Sequence, residues 1–204
     1  MTDLGPTKRL MCEQCGYPQV TCLCAWVNPV TAPLNIIILQ HPKEAKHAKN
    51  TVKLLTLGLE NVIVLQGETP ADWRDLAQRV ANRPKNYCLF YPHKQSTSFE
   101  SISSPELKEK YFPINHSVIF IDASWRKALK IWHQNSWLQQ CNSWHFDNPP
   151  DNQYHIRRTS QESSLSTLES VAYVLEHTHN TDCAPLHTLF WKMQQKCFIE
   201  NYKQ

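Results

Sequence analysis

The sequence predicts an α/β protein with a mostly parallel sheet and helices on both faces. Two observations support this: short, largely apolar runs recur along the chain, and helical patterns lie between them. The strand predictions are Leu34–Leu39, Asn61–Leu65, Tyr87–Tyr91 and Ser117–Ile121. Apolar runs of this kind are typical of parallel strands that are buried on both faces.

Helical patterns separate the strands and dominate the second half of the chain. On a helix predicted from Ser124 to about Gln139, apolar residues recur at i, i+3, i+4 and i+7 and form one stripe. That stripe consists of Trp125, Ala128, Leu129 and Trp132. The other predicted elements are helices near Lys43–Leu57, Ala71–Ala81, Pro105–Tyr111, Leu168–Leu175 and Leu186–Met193, and a short strand at Tyr154–Ile156.

Bulk composition sets the class of protein. The 204 residues suffice for one core plus a small appendage, and 41% hydrophobic with 19% charged residues is ordinary for a globular chain. The apolar run Ile36–Leu39 is far too short to cross a bilayer, and Met1–Lys8 has no signal-peptide pattern. We therefore expect a cytoplasmic protein without a membrane partner. The net charge of +3 permits a polyanionic partner without requiring one.

Four of the eight cysteines lie within thirteen residues, as Cys12-x-x-Cys15 and Cys22-x-Cys24. Two close pairs on short turns are typical of a closed tetrahedral zinc site, which would be structural. A redox pair, a thiol-rich tail and an iron–sulfur cluster are the alternatives. The redox interpretation is disfavoured because Cys15 runs into a turn rather than a helix. We predict a zinc-binding segment over residues 1–30 and a catalytic domain over residues 31–204.

The glycine content leaves a dinucleotide-type loop unsupported and excludes a P-loop. Only four glycines occur, and neither a GxGxxG nor a GxxxxGK[ST] pattern is present. A nucleotide-like cofactor would have to bind without a glycine-rich turn.

Asp122 follows an apolar strand directly and is the main catalytic candidate. In open α/β sheets, ligands bind beyond the carboxyl ends of strands, where Asp122-Ala123-Ser124-Trp125 lies. The alternative is structural, because Asp122 or Ser124 would also cap the next helix well. Trp125 is likewise compatible with a core position on the apolar stripe.

Five blocks of the chain, taken together, resemble the DTW-domain family. They are Cys-x-x-Cys…Cys-x-Cys, His41-Pro-Lys-Glu44…Asn50-Thr51, Asp122-Ala-Ser124-Trp125, Tyr154-His-Ile-Arg157 and Leu165-Ser-Thr-Leu-Glu169. Each block taken alone also has a purely structural interpretation. Ser166 and Glu169, for example, form a helix capping box, and His41 suits a core position. All five stand in the family's order, over about residues 10 to 180. In the Asp122-Ala-Ser124-Trp125 block, which is the motif that gives the family its name, serine replaces threonine. Both residues carry a hydroxyl.

The resemblance implies a fold and a reaction. These proteins are similar to SPOUT-like, trefoil-knotted enzymes that use S-adenosylmethionine. Single-domain bacterial members transfer its 3-amino-3-carboxypropyl group to N3 of uridine 47 in the tRNA variable loop. The N3 proton must leave, so Asp122 would act as the general base, with Ser124 and Trp125 shaping the pocket. Candidates for holding the cofactor follow the strands and open the late helix: Gln66, Gly67, Tyr91, Pro92, Ser166 and Thr167.

Basic patches are the candidates for tRNA contact. Three patches are predicted. The block His41-Pro-Lys-Glu44…Asn50-Thr51 supplies three further candidates, His41, Glu44 and Asn50. The patches are Lys46, Lys49 and Lys53 as a stripe on the first helix, then Arg126, Lys127 and Lys130, then Arg157 and Arg158. Phosphate contacts of this kind are salt-sensitive. Lysine stripes are also compatible with plain solvated faces.

Two other functions fit the same residues. One is a zinc-ribbon RNA-binding protein without catalysis, and the other is a SPOUT-like RNA methyltransferase with the same donor. The chemical product on the nucleoside separates them: an aminocarboxypropyl adduct, a methyl adduct or none.

Overall fold

The structure is a computed structural model that describes residues 9–156 and 164–199. Six strands form one sheet in the order β2-β1-β5-β3-β6-β4, and every neighbouring pair is parallel. The strands are β1 Asn35–Gln40, β2 Val62–Gln66, β3 Tyr87–Phe90, β4 Thr97–Ser98, β5 Ser117–Asp122 and β6 Asn142–His145. The helices are α1 Pro42–Ala45, α2 Val52–Gly58, α3 Arg74–Asn82, α4 Pro105–Tyr111, α5 Trp125–Gln134, α6 Thr167–His179 and α7 Ala184–Gln194.

Both faces of the sheet are buried, which confirms the predicted fold class. Ile36 and Ile38 of β1 belong to a core shared with α2, α6 and α7. Ile37 and Leu39 point to the other face, where they belong to a core shared with α3 and α5. Side chains alternate along a strand, so an apolar run without a polar residue needs a cover on each side. In the described ranges none of the helices has the length and apolarity to span a membrane.

The predicted helix near Lys43–Leu57 is wrong as a continuous element. It is split into α1 and α2 by residues 46–51, where side chains compete for backbone partners. Asn50 Oδ1 accepts a hydrogen bond from the backbone N–H of Val52, and Asn50 Nδ2 donates to the carbonyl of Ala45. The lysines of the predicted stripe consequently do not lie on one helix.

Two other predictions are corrected, and two strands were missed. The helix from Ser124 ends at Gln134, because the buried Asn135 side chain donates to the Ile131 carbonyl; a 3₁₀ segment, Ser136–Gln140, follows. No strand forms at 154–156, where Tyr154 N donates to Asn152 Oδ1. Strands β4 and β6 were not predicted, since neither has an apolar run.

The order of the strands places a crevice at one edge of the sheet. From β1 the chain continues to β2 on one side, whereas from β5 it crosses to β6 on the other. Neighbouring parallel strands whose connections diverge leave a crevice at their carboxyl ends. Gln40 and Asp122, the last residues of β1 and β5, are register partners there.

Candidate active site

A cavity of about 380 Å³ opens at the carboxyl ends of β3, β5 and β6. This volume lies within the usual range for small-molecule sites, about 300–1,000 Å³. Its walls combine aromatic rings with a few polar groups. The aromatic lining is Phe90, Tyr91, Phe120, Trp125, Trp144 and Phe146, and the polar lining includes Asp122, His145, Asp147, Ser164, Thr167 and Ser170. We call it the first cavity.

Asp122 lies in this cavity and its carboxylate is held from two sides. Oδ1 accepts a hydrogen bond of 2.6 Å from the Thr167 hydroxyl, and Oδ2 accepts one of 2.9 Å from Gln40 Nε2. The helix-cap interpretation of Asp122 is wrong, because α5 begins after Ser124 and Asp122 ends β5. Two charge-assisted bonds orient a half-buried carboxylate toward the cavity more firmly than solvent would.

Gln40 is a residue that sequence reasoning missed. It is buried, and its Nε2 is shared between Asp122 Oδ2 and Asn50 Oδ1, the latter at 3.2 Å. Asn50 is itself fixed by the helix break, so the loop after α1 is tied to the carboxylate through Gln40. The sequence signal that could have revealed Gln40 was a polar residue at the end of an apolar strand, immediately before His41.

Ser124 and Trp125 belong to the same motif as Asp122, but the two side chains lie in different surroundings. Ser124 is exposed at the N-cap of α5 and makes no side-chain capping bond. It does not line the first cavity, whereas Trp125 does. Trp125 is 50% exposed, which contradicts the core interpretation. The face of α5 that packs on the sheet is Ala128, Ile131 and Trp132.

The candidates for holding the cofactor separate into two groups. Tyr91, Pro92 and Thr167 line the first cavity, and Ser166, Gln66 and Gly67 do not. Ser166 is buried and forms the predicted capping box with Glu169. Gly67 is required for packing, since a Cβ there would lie 2.5 Å from Asp72 Cβ. Gln66 is exposed at the end of β2.

His145 and Asp147 were also missed, and both line the first cavity. His145 Nδ1 is 2.8 Å from Ser96 Oγ, and its Nε2 is 3.2 Å from Asp147 Oδ1. Hydrogen bonding with Ser98, and secondarily the nearby His145, holds the pKa of Asp147 below its ordinary value. Asp147 is therefore ionised at neutral pH, and it is the second carboxylate in the lining of the cavity.

Hydrogen bonds and ion pairs hold α1 and α5 against the edge of the sheet. They involve residues of the block that begins at His41 and two lysines of α5. His41 is buried; its Nδ1 accepts from the Lys43 N–H, and its Nε2 is 3.5 Å from Glu68 Oε2. This favours the core interpretation of His41 over an RNA contact. The ion pairs are Glu44–Lys127 at 2.8 Å and Glu68–Lys130 at 2.7 Å. The hydrogen bond from Lys130 is the main reason that the pKa of Glu68 is lowered.

The remaining basic candidates are dispersed. Lys46 and Arg126 are exposed, and neither has an ion pair within the described ranges. Lys49 Nζ donates to the Ile156 carbonyl, and Lys53 Nζ donates to the Gly16 carbonyl and lies over the Tyr17 ring. Arg157 and Arg158 lie outside the described residues.

The four cysteine sulfurs converge as the spacing predicted. All lie within 4.8 Å of one another, with Cys12–Cys24 at 3.6 Å and Cys15–Cys22 at 3.7 Å. A tetrahedron with Zn–S bonds of about 2.3 Å has sulfur–sulfur edges of about 3.8 Å, so the donors fit zinc. Gly16, at φ +63°, makes the turn between the pairs. The Leu23 N–H donates to Cys15 Sγ at 3.5 Å.

A family model described as the DTW domain matches residues 9–198. The chain belongs to the DTW-domain family. It is 32% identical over 196 residues to tRNA-uridine aminocarboxypropyltransferase 2 of Drosophila melanogaster, covering 90% of this chain and 75% of that protein.

Two further relatives carry similar names. The mouse (Mus musculus) tRNA-uridine aminocarboxypropyltransferase 2 is 28% identical over 197 residues, which is 95% of this chain and 64% of that protein. The Arabidopsis thaliana tRNA-uridine aminocarboxypropyltransferase A is 30% identical over 138 residues, which is 61% of this chain and half of that protein. No solved structure matches the chain. The SPOUT-like likeness and the trefoil knot stay predictions.

In this DTW domain the motif blocks meet in space. Asn50 of the second block, Asp122 of the third and Thr167 of the last are joined through Gln40 in one hydrogen-bonded chain. The blocks lie far apart in sequence, so the parallel sheet brings them together. The Asp122 carboxylate is the point at which these segments converge.

Thr167 is expected to act as a positioning residue. Thr167→Val removes the hydroxyl that donates to Asp122 at nearly constant volume. A hydrogen bond to a charged group contributes about 1.5–3 kcal/mol, so we expect turnover to fall by roughly 10- to 100-fold. The measurement is single-turnover transfer to unmodified tRNA.

Thr167→Ser is the matched control, because it keeps the hydroxyl and the N1 position of α6. Its turnover should return to near wild type. Equal losses in the valine and serine variants would instead indicate that the methyl group and packing decide the effect.

Proposed function

We propose that this chain transfers the 3-amino-3-carboxypropyl group of S-adenosylmethionine to N3 of a uridine in tRNA, releasing 5′-methylthioadenosine. The named relatives supply the reaction class, and the observation that carries it to this chain is the position of Asp122. Its carboxylate is held by Gln40 and Thr167 in an aromatic cavity at the carboxyl ends of the strands. Uridine 47 of the variable loop is the expected acceptor position.

The first cavity suits a cationic donor. S-adenosylmethionine carries a sulfonium and an ammonium, and the described lining includes the carboxylates of Asp122 and Asp147 but no lysine or arginine. Aromatic rings such as Trp125 and Phe146 offer faces for adenine and for the sulfonium charge. Tyr91, Pro92 and Thr167 are thus the retained candidates for holding the donor.

Asp122 performs the proton transfer. Its carboxylate accepts the N3 proton of the uridine, and N3 forms a bond to the γ carbon of the methionine moiety. The bond from that carbon to sulfur breaks, and its electron pair stays on sulfur in the neutral thioether product. Gln40 and Thr167 hold the carboxylate in place, which lowers the cost of reaching the near-attack geometry. Trp125 shapes the cavity beside it.

The cysteine cluster holds one zinc ion in a structural role. Four thiolates fill a tetrahedral shell and leave no position for water or substrate. Tyr17 and Leu23, which flank the ligands, are buried in the same core as β1 and α7. The metal therefore stabilises the packing of residues 9–30 on the catalytic domain rather than taking part in the transfer.

Mass spectrometry of the nucleosides tests the proposal. Unmodified tRNA is incubated with the protein and S-adenosylmethionine, digested and compared with a reaction that contains Asp122→Asn. An aminocarboxypropyl-uridine in the wild-type reaction supports the proposal. A methylated nucleoside would indicate a methyltransferase, and tRNA that is bound but unchanged would indicate a non-catalytic RNA-binding protein.

Arg126 is expected to contact tRNA phosphates more than its neighbour Lys127. Arg126 is exposed, whereas the donors of Lys127 are oriented toward Glu44. Arg126→Gln should lower the slope of log K against log salt by about one, the value for one lost phosphate contact. Lys127→Gln should leave the slope close to that of wild type. Equal slope changes in the two variants would contradict this assignment.

A further inference from the structure

A second cleft adjoins the first cavity. Its volume is about 1,020 Å³, and it lies between the segment after β3, the exposed side of α5 and the start of β6. Tyr91, Pro92 and Trp144 line both spaces and form the wall between them. Anything bound in the second cleft therefore lies next to whatever reacts at Asp122.

The two spaces differ in charge. The described lining of the first cavity has two carboxylates and no lysine or arginine. The described lining of the second cleft has no carboxylate, and its one ammonium group is that of Lys94. A cationic donor is thus favoured in the first cavity and an anionic chain in the second, since complementary charge selects the partner.

The second cleft also carries an aromatic stack. The Trp132 ring stacks on Tyr91 at 5.4 Å between centroids and on His93 at 4.5 Å. His93 Nδ1 accepts from the Gln95 N–H, while His93 Nε2 has no hydrogen-bond partner within the described ranges. Burial lowers the pKa of His93, so its ring is neutral at pH 7 and behaves like another flat aromatic group.

One exposed ridge connects the two spaces. Trp125 lines the first cavity and Leu129 lines the second cleft, one helical turn apart on the same face of α5. Their side chains are 50% and 48% exposed. An exposed aromatic ring beside cations is typical of surfaces that bind single-stranded nucleic acid through base stacking, and Leu129 adds exposed apolar area next to it.

We propose that the second cleft binds the nucleotide next to the acceptor uridine, with the RNA strand crossing the Trp125–Leu129 ridge. This inference rests on the proposed function and adds to it the subsite that presents the base. The uridine is splayed out into the first cavity, where N3 reaches Asp122. The flanking base occupies the aromatic second cleft, and Lys94 contacts the phosphate between the two nucleotides. Unstacked bases in a loop are the usual targets of such recognition.

The test is a double substitution in the second cleft, Lys94→Gln with Leu129→Ser. Both side chains are exposed, so the fold should tolerate the change, which circular dichroism and a melting curve check. The control is Lys85→Gln with Ile114→Ser. It removes the same chemistry from exposed positions at the opposite, amino-terminal end of the sheet.

The measurements are tRNA affinity by fluorescence anisotropy without donor, S-adenosylmethionine affinity by calorimetry, and transfer. We expect the apparent Kd for tRNA to rise about tenfold in the cleft variant, the effect of losing an apolar contact with the strand and a phosphate contact. Its salt slope should fall by about one, while donor affinity should stay within about twofold of wild type. The control should match wild type in all three measurements.

Two results would overturn the inference. If the cleft variant binds tRNA as the control does while the wild type transfers normally, the second cleft is not an RNA subsite and the proposed function stands. If donor affinity falls together with tRNA affinity, the cleft belongs to the donor site. Wild-type protein that neither binds nor modifies tRNA would instead refute the proposed function itself.

Discussion

Replacement of Asp122 by asparagine is expected to lower single-turnover transfer by roughly 10²–10⁴, the range for a positioned general base. Asparagine has the same size, but it loses the negative charge and nearly all of the basicity. Its carbonyl oxygen can still accept from Gln40 Nε2, and its amide can donate to the Thr167 hydroxyl, which rotates to accept. The variant should therefore fold normally.

Affinity for S-adenosylmethionine should change far less than turnover in this variant. As the proposed base, Asp122 would act chiefly as the N3 proton departs, so its contribution would be greatest in the transition state. Calorimetry gives the donor affinity, and a melting curve confirms the fold. Transfer within about threefold of wild type would exclude Asp122 as the base.

Asp147→Asn is the matched control for charge. It removes the same carboxylate charge from the same cavity, but from a side chain that interacts with His145 rather than with Gln40 and Thr167. We expect a several-fold rise in KM for the donor and nearly unchanged kcat. If the two variants lose turnover equally, the loss is caused by the reduced negative charge of the cavity, and Asp122 is not identified as the base.

Removal of the metal is expected to have the largest effect on stability. Protein purified without chelator should contain one zinc per chain, and Cys15→Ser should contain none, because Cys15 is one of the four converging thiols. Structural zinc binding in small domains amounts to about 10–16 kcal/mol. A loss of only about 3 kcal/mol would lower the Tm of a chain this size by roughly 6–12 °C.

The loss should spread into the main core, because Cys15, Tyr17 and Leu23 belong to the same buried cluster as Ile36 and Phe190. Cys197→Ser is the control, since it removes a half-buried thiol that is not among the four. It should keep the zinc and lose little stability. Wild-type protein that is metal-free and melts at the same temperature as the zinc-loaded form would refute the assignment.

Local sequence patterns predicted the features that depend on residues close together in the chain. The apolar run Ile36–Leu39 predicted β1, because such a strand has no stable position except in a sheet that is covered on both faces. The cysteine spacing predicted the converging sulfurs, since short turns leave the two pairs few other geometries. The capping box of Ser166 and Glu169 formed as predicted, because its partners are three residues apart.

The helix α5 shows where local patterns become insufficient. Its sequence contains two overlapping apolar arcs, one with Trp125 and Leu129 and one with Ile131. Periodicity predicted that the first arc is buried, but the sheet packs against the second and leaves Trp125 and Leu129 half exposed. Helical period alone cannot choose between arcs that share Ala128 and Trp132. The choice depends on the position of the strands beneath the helix.

The sequence by itself determined the α/β class, the cysteine site and the family, because each depends on local spacing or on the order of motifs. Only the tertiary structure decided which side chains hold Asp122. Gln40 is 82 residues from Asp122 and Thr167 is 45 residues from it, and neither separation leaves a periodic signal. Strand β6 likewise has no apolar run and exists because β3 offers it a row of backbone partners. Contacts between distant segments depend on strand order, which no short window of sequence contains.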